Sequence, residues 1–318
     1  MYKFKKLIKV NKSLKVCIIG NGLHSKRIQK ILKKRKIKFT IFKPKSKKNF
    51  KSENLDILKK FNVFFIISPN DTHYHYIKSL YKKSYIFCEK PPTNKIIELK
   101  KLKKIKSNKI YYNFNFRFSK IAEILKNKDK YKLGNLIYAN IISGHGLAFK
   151  KEYKLNWRSN RKKCPKGVFE MLAIHWLDLL NHLFKITAFN KPRLMNLSNV
   201  GDAYDNSNIR VTLNNKTFAE IFCSYTSPLI NKKIFVFDNG IVEQNESMLE
   251  IKGPTLNFDK NNLLKKPETI KKIKINEKKD YLESLNKSVS FFLNTVLKKK
   301  KFSKKDISSS LKINEMTL

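Results

Sequence analysis

Residues 15–25 read K-V-C-I-I-G-N-G-L-H-S. The apolar run Val16–Ile19 leads directly into a turn with two glycines, and a helix-compatible segment follows as far as Leu32. A short apolar strand, a tight glycine turn and a helix, in that order, open a βαβ unit. This segment therefore predicts that the fold begins with a strand of a parallel sheet.

The same rhythm continues toward residue 118. Short apolar runs alternate with polar segments of helical length, and these runs lie at Phe39–Phe42, 63–67, 85–88 and 110–116. Continuous apolar strands are typical of a parallel sheet that helices cover on both faces. The pattern predicts an α/β fold whose N-terminal Rossmann domain spans residues 1–118.

The pattern changes after residue 118, and the 318 residues suit two domains. Helices are predicted at Lys120–Lys126, at 168–184 and from about residue 281. Closely spaced strand-like segments lie at 194–200, 208–213, 218–225, 234–237 and 248–251. Short connections favour antiparallel neighbours. Residues 119–318 are therefore predicted to form an α+β domain with an open, mostly antiparallel sheet that holds substrate and mediates oligomerisation.

The formal net charge of +46 would suit a nucleic-acid or anionic-membrane partner. Of the 70 basic residues only seven are Arg, which leaves 63 Lys scattered along the chain. A nucleic-acid surface usually relies on Arg for bidentate contacts and concentrates its charge on one face. We therefore expect no specific nucleic-acid partner, and a basic nucleic-acid-binding protein is kept only as an alternative.

The cysteines and the N-terminus bear on the cellular compartment. The four cysteines are far apart and form no C-x-x-C pair, so neither a zinc cluster nor a disulfide framework is indicated. The basic segment 1–13 leads into a short apolar run rather than an 18-residue span. We expect a cytoplasmic protein with no membrane partner and no metal site.

The glycine turn reads G-x-G-x-x-S and has the features of a dinucleotide site. Gly20 would allow the tight turn, and Gly22 would let the backbone approach a pyrophosphate at the helix N-terminus. Ser25 replaces the usual third glycine and is small enough for close helix packing. The cofactor-binding residues predicted here are Gly20, Asn21, Gly22, Leu23 and Ser25. A tight turn without a ligand is the alternative interpretation.

The end of the second strand bears on the choice between NAD and NADP. An NAD site places Asp or Glu about 20 residues beyond the glycines, where the carboxylate binds the ribose 2′-hydroxyl. Here the strand ends at Phe42 and Lys43 follows. Because a cation suits a 2′-phosphate, Lys43 favours NADP, and NAD is left open.

Two further motifs follow apolar strands. Residues 65–73 read F-I-I-S-P-N-D-T-H, and residues 87–92 read F-C-E-K-P-P. Both would lie at the carboxyl edge of the parallel sheet, where nucleotide and substrate meet. The P-N-x-x-H and E-K-P pair, after a glycine-rich turn, resembles the glucose-fructose oxidoreductase, inositol dehydrogenase and rhizopine-catabolism (Gfo/Idh/MocA) family.

The resemblance covers nearly the whole chain. N-F-R-F at 115–118 is similar to the family's crossing into the second domain, L-G-N at 133–135 to its first turn, and W-R at 157–158 to its substrate-side loop. G-V-F-E-M-L-A-I-H-W-L-D at 167–178 is similar to the family helix that ends in H-x-x-D. The resemblance implies hydride transfer between NAD or NADP and a hydroxyl or ketone of a sugar, inositol or nucleotide-linked sugar.

The resemblance also implies roles for individual residues. Lys90 would contact the reacting oxygen, where a cation stabilises a developing alkoxide, and His175 would be the acid-base. Glu89 would position Lys90 or the nicotinamide ribose, and Lys90–Pro91 is a candidate cis bond. The residues implied along the cofactor are Ser68, Pro69, Asn70 and His73, and those implied at the substrate are Lys90, Arg117, Trp157, Arg158 and His175.

One departure concerns the acid-base histidine. Many dehydrogenases of the family carry Asp four residues before the helix histidine, one turn away, and here that position is Met171. Glu170 lies off the face of His175 in an ideal helix. Asp178, one turn ahead, is therefore predicted as the replacement that orients His175. The departure also favours a substrate or a reaction direction different from that of the polyol dehydrogenases.

Simpler interpretations stay open at these positions. His175, Asp178 and His182 share one helix face and could mimic metal ligands, although hydride transfer to a nicotinamide needs no metal. The arginines and the tryptophan predicted at the substrate could instead staple a domain interface. A non-catalytic nucleotide-binding regulatory protein of the same fold is the main alternative function.

The expected partners are a sugar-like small molecule and further copies of the chain. An apolar sheet face needs cover, and members of the family commonly pair through the outer face of the open sheet. The resemblance therefore implies a homo-oligomer, either a dimer or a tetramer.

Overall fold

The computed structural model describes residues 14–43, 55–254 and 257–318. Contacts between residues divide the chain into two compact units. Unit 1 combines residues 1–114 with residues 286–315, and unit 2 consists of residues 115–285 and 316–318. The chain therefore leaves unit 1 near residue 114 and returns to it after residue 285.

The return of the chain to unit 1 was not predicted from the sequence. The predicted division assigned all of 119–318 to the second domain. The crossing near residue 114 lies close to the expected boundary at residue 118. The division into a nucleotide-binding part and a substrate-binding, oligomerising part describes function, and in that sense it stays a prediction.

Unit 1 contains a five-stranded parallel sheet. Its strands are β1 (Val16–Ile19), β2 (Phe39–Phe42), β3 (Val63–Ile66), β4 (Tyr85–Glu89) and β5 (Ile110–Asn113). They are arranged in the order β2-β1-β3-β4-β5, and each neighbouring pair is parallel. Every residue of β1, β3 and β5 is buried, as expected of strands that are covered on both faces. The Rossmann-like sheet predicted for this part of the chain is confirmed.

Seven α-helices lie within the described residues. They are α1 (Leu23–Lys34), α2 (His73–Leu80), α3 (Ile96–Lys103), α4 (Lys120–Lys126), α5 (Ile174–Phe184), α6 (Glu277–Leu297) and α7 (Lys304–Met316). In α1 the buried residues Ser25, Ile28 and Leu32 recur at spacings of three and four and form one helix face. Within the described part of the chain, no helix is both long enough and apolar enough to cross a membrane.

The C-terminal helices complete the core of unit 1. Phe292 of α6 is fully buried, and its ring contacts Phe65 of β3 at 5.2 Å and Phe87 of β4 at 5.4 Å between centroids. Phe302, which precedes α7, stacks on Phe292 at 5.7 Å. Offset and edge-to-face aromatic pairs stabilise a core beyond the burial of their area. Unit 1 therefore depends on residues that follow unit 2 in the chain.

Unit 2 is built on a nine-stranded sheet. Its strands are β6 (Leu136–Gly144), β7 (Ile186–Phe189), β8 (Arg193–Met195), β9 (Asn206–Leu213), β10 (Thr217–Ser224), β11 (Ile230–Phe237), β12 (Gly240–Asn245), β13 (Met248–Lys252) and β14 (Thr269–Lys274). They follow the order β14-β13-β12-β11-β6-β10-β9-β7, with β8 also paired to β9. The pair β6–β10 is parallel and the other pairs of described strands are antiparallel. The predicted open, mostly antiparallel sheet is confirmed.

Some local predictions differ from the structure. The strand predicted at 110–116 ends at Asn113, because a 3-10 turn forms at Asn115–Phe118. The strand predicted at 194–200 shortens to β8, because the carboxylate of Asp205 accepts the backbone N–H groups of Leu197 and Ser198 and bends the chain. Strand β6 was not predicted, although it lies in the middle of the sheet, because polar residues interrupt its apolar pattern.

The aromatic cluster yields a stability prediction. We expect Phe292→Ala to lower the free energy of unfolding by about 3–5 kcal/mol, because the substitution leaves a cavity among buried rings. The neighbouring Phe291 is 43% exposed, so Phe291→Ala is the matched control and should cost much less. Urea denaturation of both variants measures the difference. Equal losses would contradict the assignment of Phe292 to the core of unit 1.

Candidate functional site

The strand order of unit 1 places two loops beside each other. The order reverses between β1 and β3, the point from which the sheet extends in opposite directions. In open α/β sheets, ligands bind outside the carboxyl ends of the strands at this point. The loop after β1 carries the glycine turn, and the loop after β3 carries Ser68, Pro69 and Asn70. The sequence-predicted cofactor residues of these two loops are therefore adjacent.

The two glycines of the turn have different functions. Gly20 has φ +106°, and a Cβ built on it would lie 2.4 Å from the carbonyl oxygen of Ile67. Only glycine tolerates both conditions. Gly22 has an ordinary φ of −73°, and a Cβ on it would meet nothing within 4 Å. The space beside Gly22 is therefore open to a ligand.

Ser25 locks the glycine turn from within helix α1. Its buried hydroxyl donates to the carbonyl oxygen of Gly20 at 2.8 Å. The amide of Gln29 donates to the hydroxyl of Ser25 at 3.1 Å and to the Asn21 side chain at 3.0 Å. The substitution of Ser for the third glycine thus adds hydrogen bonds that hold the turn in place.

The N-terminus of α1 is suited to bind an anion. Gly22 is the N-cap residue and supplies no side chain to the first N–H groups of the helix. Asn21, Gly22 and Leu23 are all exposed. Uncapped N–H groups together with the helix dipole favour a phosphate at this position. The N-terminus of α1 therefore fits the pyrophosphate of a dinucleotide.

His73 connects the loops that follow β3 and β4. Its ring is fully buried, with Nδ1 2.8 Å from the carbonyl oxygen of Pro91 and Nε2 3.0 Å from that of Ser68. Burial lowers the pKa of His73 more than these two contacts raise it. Thr72 donates to the carbonyl of Pro69 at 2.7 Å, and Ser68 donates to the Thr72 hydroxyl at 2.6 Å. His73 therefore holds the P-N-x-x-H and E-K-P loops together.

Glu89 lies at the centre of a buried polar network at the end of β4. Its Oε1 lies 2.7 Å from His24 Nε2 and accepts a bond of 2.6 Å from the amide of Asn113. Ser288 of α6 donates to the Asn113 side chain, and the hydroxyl of Tyr111 donates to Ser288. His24 was not among the predicted residues, because an isolated histidine in the glycine turn carries no motif. The network fixes the strand end that precedes Lys90.

The environment of Glu89 favours its ionised form. Burial by itself would raise the pKa of Glu89. The attraction of His24 and the hydrogen bonds from His24 and Asn113 outweigh burial, so the pKa of Glu89 lies below its usual value of 4.5. The neighbouring Lys90 also lowers it. The peptide bond Lys90–Pro91 is cis, as predicted.

Lys43 is exposed directly after β2. Strand β2 pairs with β1, the strand that leads into the glycine turn. Lys43 therefore lies just beyond the carboxyl end of the strand next to that turn. This is the position at which dinucleotide sites contact the adenosine ribose. Lys43 therefore lies at the end of the second strand, the position from which the preference for NADP was predicted.

In unit 2, the predicted acid-base His175 lies in the first turn of α5. It is buried, and its ring stacks on Phe116 with centroids 4.3 Å apart and planes 18° apart. Phe116 belongs to the 3-10 turn Asn115–Phe118, which corresponds to the N-F-R-F motif. The ring of His175 is therefore held flat against an apolar surface.

Arg117 and Asp178 form a buried ion pair. Arg117 Nε donates to Asp178 Oδ2 at 2.7 Å, and a second guanidinium nitrogen donates to Oδ1 at 2.5 Å. Both side chains are almost fully buried. Removal of either partner would leave an uncompensated buried charge. The contact joins α5 to the turn at 115–118, and the predicted roles of Asp178 toward His175 and of Arg117 toward substrate stay predictions.

The helix before His175 is not an ideal α-helix. Residues Phe169–Ala173 form a π-helical turn, with α5 following directly. The placement of Glu170 off the face of His175 assumed an ideal helix, and the π turn departs from that geometry. Glu170 is 2% exposed, and its Oε1 accepts the backbone N–H of Lys166 at 3.2 Å.

Trp157 and Arg158 lie in a 3-10 turn of unit 2. The Arg158 guanidinium is 4.3 Å from the centroid of the Trp157 ring, and the backbone N–H of Arg158 donates to the side chain of Asn156. Such stacking orients the guanidinium. Both side chains are half-buried, which leaves part of each accessible to a ligand. The structure thus keeps the substrate-contact role open.

The sequence matches no family model and no curated protein. The fold is nevertheless similar to that of known structures. Levoglucosan dehydrogenase, solved with NADH and levoglucosan, has a TM-score of 0.72 at 13% identity, and the match covers 96% of this chain and 95% of that one. An oxidoreductase from Agrobacterium radiobacter, in complex with NAD+, L-tartaric acid and magnesium, has a TM-score of 0.74 at 15% identity, covering 95% and 94%.

A dehydrogenase, MviM, from Clostridium difficile is similar to the same extent. Its TM-score is 0.70 at 16% identity, with coverage of 96% of this chain and 98% of that chain. At such identities a likeness demonstrates the fold. The similarity spans both units, so the two-part α/β architecture of this chain is that of these oxidoreductases.

The Glu89 network predicts a pH dependence of stability. Because the pKa of Glu89 is lower in the folded protein, its ionised form stabilises the fold above about pH 4.5. This stabilisation is lost as pH falls through the lowered pKa. We expect Glu89→Gln to cost about 1.5–3 kcal/mol near pH 7, with the difference from the unaltered protein shrinking below pH 4.5. Urea denaturation across this range is the measurement, with exposed Glu152→Gln as control. A constant difference would contradict the prediction.

Proposed function

We propose that the protein is an oxidoreductase that transfers a hydride between NAD or NADP and a hydroxyl or ketone of a sugar, inositol or nucleotide-linked sugar. The observation that carries the proposal is the glycine turn at the reversal of the sheet, with an uncapped helix N-terminus and open space beside Gly22. We also propose membership of the Gfo/Idh/MocA family.

The residues of unit 1 fit a nicotinamide dinucleotide. The N-terminus of α1 would hold the pyrophosphate, and the loop Ser68–Pro69–Asn70 would line the cofactor beyond it. Exposed Lys43 would contact a 2′-phosphate, which favours NADP. Similar structures solved with NADH or NAD+ support a nicotinamide dinucleotide as the cofactor. When bound, the nicotinamide supplies the hydride donor or acceptor.

Two side chains carry the proton and charge chemistry in this proposal. The ammonium group of Lys90 stabilises negative charge on the reacting oxygen. His175 takes the hydroxyl proton when the substrate is oxidised and returns it when the substrate is reduced. The stacking of His175 on Phe116 restricts the imidazole ring to one plane. A hydrogen bond to one ring nitrogen then determines the direction in which the other ring nitrogen points.

We assign the positioning of His175 to Glu170. A π turn has one more residue between bonded backbone groups than an α turn. The residue five positions before His175 then takes the place that, in an ideal helix, belongs to the residue four positions before it. Glu170 is that residue, and the π turn at Phe169–Ala173 contains it. In this proposal the π turn puts Glu170 in the place of the missing aspartate.

The substrate and oligomer assignments follow the same argument. Levoglucosan and L-tartaric acid in the similar structures are small and rich in hydroxyl groups, which supports a sugar-like substrate here. Trp157 and Arg158 are proposed as contacts to it. We further propose a homo-oligomer that forms through the sheet of unit 2, where Ile137 of β6 and Phe189 of β7 remain about half exposed.

The first test of the proposed function is nucleotide binding. We expect micromolar affinity for NADPH or NADH, measured by fluorescence titration. Gly22→Ala should weaken binding about tenfold or more, because the added methyl enters the ligand's space, while its stability to urea stays unchanged. Lys43→Asp should remove any preference for NADPH. Failure of the unaltered protein to bind either nucleotide would refute the proposal.

The assignment of Glu170 is tested without a substrate. The chain has six histidines, so their ring protons can be followed by NMR and His175 identified by its loss in His175→Asn. Glu170→Gln should move the titration midpoint of His175 to lower pH, because a nearby carboxylate favours the charged ring. Met171→Leu is the control and should leave the midpoint in place. The same result in both variants would exclude Glu170 as the partner.

A further inference from the structure

Arg158 is a half-buried arginine without an acidic partner. Its guanidinium lies 4.3 Å from the centre of the Trp157 ring. Among the described residues the guanidinium forms no ion pair and no hydrogen bond, and none of its nitrogens is fully buried. Arg117, by contrast, is paired with Asp178. The N–H donors of Arg158 are therefore accessible to a ligand.

The segment that carries Arg158 is anchored to the end of strand β10. The backbone N–H of His145 donates to the carbonyl oxygen of Ser224 at 3.0 Å, and that of Ala148 donates to the carbonyl oxygen of Tyr225 at 2.9 Å. Short 3-10 turns then lead the chain from residue 147 to residue 159. Arg158 thus extends from a segment that the sheet of unit 2 holds in place.

His145 adds a second hydrogen-bond donor beside Arg158. Its ring packs against that of Tyr225 with centroids 5.0 Å apart. Burial, together with the charges of Arg158 and Lys150, lowers the pKa of His145, so the ring is neutral at neutral pH. A neutral imidazole keeps one N–H donor. Among the described residues, neither ring nitrogen has a hydrogen-bond partner and neither is fully buried.

The charges that act on His145 are cationic. Both Arg158 and Lys150 lower its pKa, and no carboxylate raises it. The guanidinium of Arg158 also opposes the rise that burial causes in the pKa of Tyr225. An anion placed beside these two rings therefore meets a positive potential.

The buried acid in this part of unit 2 does not neutralise Arg158. Asp205 and Arg158 both act on the pKa of Tyr153. The carboxylate of Asp205, however, accepts the backbone N–H groups of Leu197 and Ser198 at 2.8 and 2.9 Å and forms no ion pair with the guanidinium. The charge of Arg158 is therefore left for a ligand to balance.

A cavity of about 190 Å3 connects this cluster to the candidate acid-base. His145 and Phe116 both line the cavity, and Phe116 is the ring on which His175 stacks. A molecule that occupies the cavity can therefore lie near His175 at one point and near His145 at another.

The charged groups that line the cavity already have partners. Lys233, which is 2% exposed, donates to the side chain of Asn231, whose amide in turn donates to Glu277. Asp280 accepts the backbone N–H of Lys120 at 2.9 Å. Neither carboxylate is among the groups that act on His145. The part of the cavity at His145 is therefore its cationic side.

We propose that the substrate carries an oxyanion, either a carboxylate or a phosphate, that binds between Arg158 and His145. Arginine holds such a group through two parallel N–H donors, and the stacking on Trp157 orients its guanidinium. The imidazole N–H of His145 donates to the same anion, and the sugar ring lies in the cavity. This inference rests on the proposed function, because it takes the occupant to be the substrate of the oxidoreductase.

Calorimetric titration of the full chain, at neutral pH and low ionic strength, tests the inference with matched sugars. D-glucuronate and D-glucose 1-phosphate are each compared with D-glucose, and D-galacturonate is compared with D-galactose. We expect at least one anionic sugar to bind about tenfold or more tightly than its neutral counterpart. Added salt should reduce this preference.

The pattern of binding identifies the source of the anion. A preference confined to the uronates identifies a sugar acid, and a preference confined to the phosphate identifies a phosphorylated or nucleotide-linked sugar. Both results support the inference. Neutral sugars that bind as tightly as their anionic counterparts, or no binding of any anionic sugar, would overturn it.

Variants locate the anion at Arg158. Arg158→Gln should weaken binding of the anionic sugar about tenfold or more and leave the neutral sugar unaffected, because the ion pair is lost. Arg158→Lys keeps the charge without the paired donors, so its affinity should lie between those of Arg158→Gln and the unaltered protein. Arg193→Gln is the matched control, since Arg193 is exposed on β8 of the same unit, and should leave binding unchanged.

Two results with these variants would refute the role of Arg158. One is an equal loss of anionic and neutral sugar binding in both Arg158 variants, which a purely structural role would produce. The other is the same loss in Arg158→Gln and Arg193→Gln. Urea denaturation of each variant shows that it is folded.

The outcome separates this inference from the proposed function. If nicotinamide nucleotides bind and anionic sugars have no advantage, the oxidoreductase proposal stands and the anion assignment fails. If an anionic sugar binds with the expected variant pattern and neither nucleotide binds, the cluster is an anion site and the oxidoreductase proposal fails.

Discussion

The carbonyl oxygen of Ile67 lies only 2.4 Å from the position that a Cβ on Gly20 would occupy. Because of this approach, the loops after β1 and β3 pack against each other at the point where the sheet reverses. The backbone N–H of Ile67 bonds to the carbonyl of Ile19, and Ser25 bonds back to Gly20, so the approach is fixed on both sides. The position of the α1 N-terminus, and with it the contact between His24 and Glu89, follows from this constraint.

Much of unit 1 could be predicted because its information is local. The apolar runs of β1 and β2 end at the residues where the structure ends them, and the glycine turn follows from two residue types at fixed spacing. The return of α6 and α7 to unit 1 could not be predicted, since the apolar face of α6 shows that the helix is buried but not where. Strand β6 was missed because polar residues interrupt its apolar pattern, and its pairing with β10 and β11, which lie far along the chain, leaves no local signal.

Some features of the candidate site could likewise be predicted from the sequence, and others could not. Lys90 and His175 were predicted from motifs, and their roles stay predictions, whereas the predicted cis bond before Pro91 is confirmed. The π turn that contains Glu170 could not be predicted, because one sequence does not show where a helix departs from ideal geometry. Lys233 is one of 63 lysines, and only its burial distinguishes it. In a chain this rich in lysine, buried acids are more informative, because each must be compensated. Glu89, Asp178 and Asp205 each have at least two hydrogen-bond contacts.

The path of the chain through the two units has a consequence for synthesis on the ribosome. Unit 2 is nearly continuous in sequence, whereas the core of unit 1 needs Phe292 and Phe302. Domains fold as their residues become available during translation. The surface of the parallel sheet that α6 covers therefore stays uncovered until unit 2 has been synthesised. Unit 1 therefore begins before unit 2 in the sequence and is completed after it, once residues 286–315 have been made.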